Sequence, residues 1–239
     1  MLKVDYKSFP DIIRQIRVDA HDINLEIKEA FIAMNQCHSV WTGDRYNTMV
    51  EKFNGIVDDV NKILVLIVRD IPFTLETIYN NYEAADHNTD TKKGVVTTPV
   101  SIIPLEVPGE EPLSILGNDE SVVQPYINRV TNSFDTSTKK LEKIQNYINN
   151  LEWQGTARTE LVTSLASLKN KITISFESIS DSFKKLVEES VDAILRAESS
   201  NNVSGTTIRH KMENKVKSVI KNNTGKQSIN DLSDIYNNF

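Results

Sequence analysis

The chain has 239 residues, 39% hydrophobic and 25% charged, with only 8 glycines and 7 prolines, so it is long enough to bury a real core and poor in loop-forming residues. Its formal net charge of −6 argues against nucleic acid as a partner, which would call for a basic face to neutralise phosphates. The single cysteine, Cys37, rules out an internal disulfide, and the opening residues Met1-Leu2-Lys3-Val4-Asp5-Tyr6-Lys7 lack the apolar core of a cleavable secretory signal.

From about Pro10 to His38, residues Ile13, Ile16, Ala20, Ile23, Ile27, Ala30 and Met34 recur at alternating steps of three and four, which sets them on one face of a helix. Pro10 suits the first turn, where its missing amide donor costs nothing. The stripe stops at Val40-Trp41-Thr42-Gly43-Asp44. Beyond that turn Tyr46, Met49, Phe53, Ile56, Val60, Ile63 and Ile67 resume it, and Ile71, Leu75, Ile78 and Tyr82 continue it with a slip beside Pro72. A proline there must break or kink the ladder. Pro10 and Pro72 lie equally far from Trp41, so the second helix is expected to kink where the first runs out, with residues 73–82 projecting roughly 15 Å beyond it. The run Ile63-Leu64-Val65-Leu66-Ile67-Val68 is apolar on every face, which calls for further helices packed around it, and it is far too short to span a bilayer.

Residues 87–121 change character. Pro99, Pro104, Pro108 and Pro112 with Gly94, Gly109 and Gly117 exclude a continuous helix, yet Val95, Val96, Val100, Ile102, Ile103, Leu105 and Val107 are too apolar for a solvated linker. The segment is expected to lie extended along the helices, with room for one short strand.

A second pair of helices comes next. Val123, Ile127, Val130, Phe134, Leu141, Ile144, Ile148 and Leu151 form one stripe, interrupted at Ser137. Glu152-Trp153-Gln154-Gly155-Thr156 is the turn, and Leu161, Leu165, Leu168, Ile172, Phe176, Ile179, Phe183 and Leu186 form the other stripe. Counted from each tryptophan, Met49 matches Leu161, Phe53 Leu165, Ile56 Leu168, Val60 Ile172, Ile67 Ile179 and Ile71 Phe183, an internal repeat of about 112 residues that is strong after the turn and weak before it. Residues 201–239 turn basic, with Arg209, Lys211, Lys215, Lys217, Lys221 and Lys226 against Glu213, Asp231 and Asp234. There Ile208, Met212, Val216 and Ile220 read as one short helix ended by Asn222-Asn223-Thr224-Gly225, and Ser228 with Asp231 opens another carrying Leu232, Ile235 and Tyr236. This tail is expected to dock on the acidic helices or to hold a partner.

Two Trp-x-Gly turns, each between long amphipathic helices, resemble the WXG superfamily of helical-hairpin proteins exported by type VII (ESX-like) secretion systems. A second mark of that family is a Tyr-x-x-x-Asp or Tyr-x-x-x-Glu tail motif past the second helix, which Tyr82-Glu83-Ala84-Ala85-Asp86 fits. The matching point of the second unit, Ile194-Leu195-Arg196-Ala197-Glu198, keeps the acid and lacks the tyrosine. The resemblance covers residues 10–198. It implies an all-α protein of two antiparallel hairpins, residues 1–86 and 122–200, packed head to tail as a four-helix bundle, with an extended linker and a short helical C-terminal tail. It also implies a composite export signal drawn from Trp41, Gly43, Tyr82, Asp86, Trp153, Gly155 and Glu198, with Tyr82 close to Trp153, and a secretion ATPase as partner.

The residues have a physical reading of their own. Gly43 and Gly155 allow positive φ at a helix end, with Asp44 and Thr156 as expected N-caps. The tryptophans would close the turn end of each core or show an edge for recognition. Tyr82 and Asp86 share a helix face at i and i+4. Head-to-tail packing would also use the linker, which must then travel the length of a helix, about 42 Å.

Catalysis finds little footing. His21, His38, His87 and His210 are scattered, and there is no His-Glu-x-x-His, no Gly-x-Ser-x-Gly, no phosphate-cradling glycine loop and no cysteine pair. The neighbours Cys37 and His38 point about 100° apart on a helix, which disfavours an activated thiolate. The expectation is therefore a non-enzymatic protein with no cofactor or metal, exported without a cleavable signal peptide as a type VII substrate or co-secreted partner. The alternatives are an intracellular adaptor or chaperone for the helical leader of a toxin, and a structural scaffold protein, for example of a phage.

Overall fold

The computed structural model describes residues 6–90, 120–153 and 155–222, which are almost entirely helical and contain no strand. The Pro/Gly segment from residue 91 to 119, where a strand had room, and residues 223–239, with the helix expected after Ser228, lie outside the described residues. The chain divides into two compact units, Met1–Val191 and Asp192–Phe239.

In the first unit a short 3-10 turn, Tyr6–Ser8, leads into helix α1, Phe9–Cys37, with Pro10 in its first turn. Ile13, Ile16, Ala20, Ile23, Ile27, Ala30 and Met34 are all buried, as their spacing predicts. Each large one of these contributes about 1.5–3 kcal/mol by leaving water. After the turn at Trp41 come helices α2, Asp44–Gly55, and α3, Val57–Val65, a π-helical turn, Leu66–Asp70, and helix α4, Ile71–His87.

The breaks have local causes. Gly55 is a poor helix former, and Ile56 beyond it sits near φ −97°, ψ −7°. Pro72 cannot donate to the preceding turn, and just before it the amide of Ile71 reaches back five residues to the Leu66 carbonyl, the wider π spacing. Pro72 itself then falls in the first turn of α4. These irregularities overturn one expectation. Residues 73–82 do not project beyond α1: Glu76 pairs with Arg17 at 2.5 Å, and Tyr79 and Asn80 share a groove with Pro10, Ile13 and Arg14. The level-matching of Pro10 and Pro72 assumed two straight helices, whereas this arm is broken at Gly55 and again at Leu66–Asp70.

Helix α5, Glu120–Asn149, lies antiparallel to α1, since Arg129 reaches Glu29 near one end and Lys140 reaches Asp22 at 2.7 Å nearer the other. Helix α6 begins at Thr156. Its Lys171 pairs with Asp59 of α3 at 2.7 Å, and Phe176 stacks on Phe134 of α5 at 4.0 Å, which in turn meets Phe53 of α2. The repeat residues seen in sequence all face this core: eleven of them are buried, and Leu168 packs against it partly buried. Ser137, the interruption in the α5 stripe, is fully buried with its hydroxyl unpartnered.

The short helix expected over residues 208–220 is not a separate element. Helix α6 runs unbroken to Asn222, crossing residues 199–207 despite their serines, asparagines, threonines and Gly205. In the second unit the described residues form the end of this helix, on which Leu195, Val203 and Ile208 are exposed.

Candidate functional site

At the first turn the backbone leaves α1 through Val40 and Trp41, whose amides both donate to the Cys37 carbonyl at 3.0 and 2.9 Å. Gly43 takes φ 114°, ψ −178°, a region open essentially to glycine alone, and its carbonyl accepts the Asn47 amide at 2.9 Å. Gly43 is thus the N-cap of α2, and Asp44 is its first residue, not the cap that sequence spacing suggested. The Asp44 carboxylate gains there from the helix dipole rather than from a capping hydrogen bond. The second turn also has its glycine as the cap. Gly155 has φ 153° and its carbonyl accepts the Thr159 amide at 3.2 Å, so Gly155 caps α6 and Thr156 opens it. In both turns a glycine at positive φ takes the place of the polar cap.

The tryptophans are buried, Trp41 at 1% and Trp153 at 5% exposure. Trp41 stacks on Phe183 of α6 at 5.5 Å, meets Tyr46 edge-on at 5.7 Å and donates its Nε1–H to Ser190 Oγ at 3.3 Å. Ser190 donates in turn to the Leu186 carbonyl at 2.8 Å. Trp153 meets Phe9, the first residue of α1, at 6.2 Å and 66°. Neither indole offers a broad edge for recognition. Each closes one end of the core instead.

Helix α4 ends at His87 with Asn88 in the left-handed region, φ 53°, its amide and that of Thr89 both bonded to the Ala84 carbonyl. Tyr82 on this last stretch is half-buried and Asp86 is exposed. One helical step earlier Tyr79 donates to Glu83 Oε1 at 2.9 Å, an i, i+4 pair of phenol and carboxylate whose hydrogen bond pushes the Tyr79 pKa up. Tyr79-Asn80-Asn81-Tyr82-Glu83 fits the same Tyr-x-x-x-acid spacing as Tyr82 to Asp86. Sequence reasoning passed over it, although the spacing alone was enough to find it.

Two separate contacts bring the end of α4 and the second turn to the same end of α1: Phe9 touches Trp153, and Pro10 lines a groove with Tyr79 and Asn80. The Trp41 turn lies at the opposite end of α1, against Phe183 and Ser190. Glu198 is exposed on α6 and belongs to the second unit.

The chemistry of the remaining groups is quiet. Burial pushes the Cys37 thiol up to about 12, so it stays protonated, and burial likewise raises the Tyr46 phenol to about 12 while it donates to the Met34 carbonyl at 3.4 Å. Among the described residues no cluster of His, Cys, Asp and Glu is placed to hold a metal ion, and no helix is long and apolar enough to cross a membrane. No family model, curated protein or solved structure matches the chain.

Proposed function

We propose that the chain is a non-enzymatic substrate or co-secreted partner of a type VII (ESX-like) secretion system, built as two WXG hairpins packed head to tail in a four-helix bundle. The observation that carries this reading is the repeated turn. Twice, a buried tryptophan is followed two residues later by a glycine at positive φ that caps the next helix. The head-to-tail arrangement is supported by Phe9 against Trp153 at one end and Trp41 against Phe183 at the other. On this reading the export signal joins the Trp153 turn to Tyr82 and Asp86, and a secretion ATPase reads the surface around the turn rather than the indole.

Export of full-length variants into the medium of the native host tests the signal. Tyr82→Ala and Asp86→Ala are expected to lower export at least tenfold with unchanged cellular levels, whereas Tyr79→Phe leaves it intact. Export of Tyr82→Ala at the wild-type level would contradict the assignment of Tyr82. The adaptor reading has one observation in its favour, an exposed apolar line on α1.

A further inference from the structure

The surface that α1 turns away from the core carries Val18, Leu25 and Ile32, 57%, 51% and 47% exposed. They stand seven residues apart, two helical turns, and so fall in one line. Single exposed apolar side chains need no explanation. A line of three at heptad spacing on one helix has the pattern of a seam for another helix.

The two flanks of the line differ in charge. On the side facing α5, Glu29 and Asp22 are taken up by Arg129 and Lys140. On the other side stand Arg14, which pairs with the exposed Asp11 at 2.9 Å, His21 and Lys28, also seven residues apart. Toward the start of α1 the line enters a groove of about 720 Å³ between α1 and α4, lined by Pro10, Ile13, Val18 and Tyr79, with the Arg17–Glu76 pair beside it. From Pro10 to Ile32 the track is about 33 Å long, room for a helix of some six turns.

A second copy of this chain is a poor occupant. Antiparallel pairing about Leu25 would set the flank of Arg14, His21 and Lys28 against itself, with Lys28 beside His21 of the copy. Parallel pairing would set them against Asp22 and Glu29, whose charge α5 already meets.

We propose that this face docks an amphipathic helix of another protein, with apolar residues at heptad spacing and Asp or Glu beside them. Leucines would sit along Val18, Leu25 and Ile32, and the acids would meet Arg14, His21 and Lys28. The inference does not depend on export, because binding can be measured without a secretion system.

The test uses the full chain and two synthetic helical peptides of about 21 residues, the length that spans the track. Both carry leucine at heptad positions; one is flanked by glutamate and the other by lysine. Fluorescence anisotropy should show the glutamate peptide binding at least tenfold more tightly than the lysine peptide, with the advantage shrinking as salt is raised. Leu25→Glu should remove this binding without changing the melting curve, and the double change Arg14→Glu with Lys28→Glu should reverse the preference between peptides. Equal affinity for both peptides, no binding of either, or full binding by Leu25→Glu would overturn the proposal. Two further results would overturn it by naming another occupant. A dimer in sedimentation that Leu25→Glu dissociates would point to a second copy, and slow thiol labelling of Leu25→Cys in the free monomer, where Cys37 is buried, would point to cover by the chain itself.

Discussion

The two Trp-x-Gly turns each end in a glycine at positive φ whose carbonyl accepts from the first turn of the next helix, and they open onto unlike arms. After Gly43 the chain is interrupted at Gly55, widens into a π turn at Leu66–Asp70 and restarts at Pro72, whereas after Gly155 one helix runs from Thr156 to Asn222. The interrupted arm brings α4 back along the start of α1, making the groove and setting Tyr79 and Asn80 beside Pro10. The unbroken arm carries the chain out of the first compact unit past Val191. One turn design thus serves two arms with different uses, and the breaks, not the turns, create the difference.

The largest effect expected in this comparison is at the indoles. Trp41→Ala should destabilise by about 4 kcal/mol and Trp153→Ala by about 3 kcal/mol in urea unfolding. The difference comes from the stack on Phe183 and the hydrogen bond to Ser190, set against the edge contact of Trp153 to Phe9 among the described residues. Equal losses would mean that the two turns bear equal shares of the core.

The glycines come next. Gly43→Ala should cost about 2 kcal/mol, because φ 114° with ψ −178° is strained for any side chain. Gly155→Ala should cost about 1 kcal/mol, because φ 153° is nearer to extended backbone and its added methyl would meet only Trp153 Nε1, at 4.0 Å. The same unfolding assay separates them, and the reverse order would break the comparison.

Ser137→Ala tests the second half in the opposite direction. Removing a buried hydroxyl without a partner should stabilise by about 1 kcal/mol, read as a higher urea midpoint at unchanged slope.

The smallest effect is with pH. The hydrogen bond from Lys140 holds the Asp22 carboxyl below the ordinary carboxylate range, and that from Lys171, aided by Lys62, does the same for Asp59. A depressed folded-state pKa stabilises above the unfolded value of about 4, and that contribution is lost as pH falls through the depressed one. Stability should therefore drop below about pH 4, and Asp22→Asn and Asp59→Asn should each flatten the acid limb of a pH series. Asp22, at 40% exposure, should show the smaller change and Asp59, at 17%, the larger of the two.

Much of the fold was legible because a helix repeats every 3.6 residues and the apolar stripes obey that period. The faces of α1, α5 and the first part of α6 come directly from it. The slip beside Pro72 was legible, but the π form of the turn before it was not, since Ile63 to Val68 are apolar on every face. The reach of α6 beyond Glu198 was hidden for another reason. Ser199 through Thr207 are weak helix formers, and composition suggested an end where the helix continues. At the site, the positive φ of both glycines was readable from residue type, but the partners Phe183, Ser190 and Phe9 are set by packing between distant segments, which no local pattern encodes. The Tyr79–Glu83 pair was in plain sight and was masked by its overlap with Tyr82 and Asp86.

The central claim is export by a type VII system. Its most direct test is the amount of full-length protein in the medium of its own host, compared between the wild-type strain and one lacking the secretion ATPase. The account predicts protein in the first medium and its retention in the cells of the second. Retention by a wild-type strain whose system exports other proteins, or equal release from both strains, would contradict it.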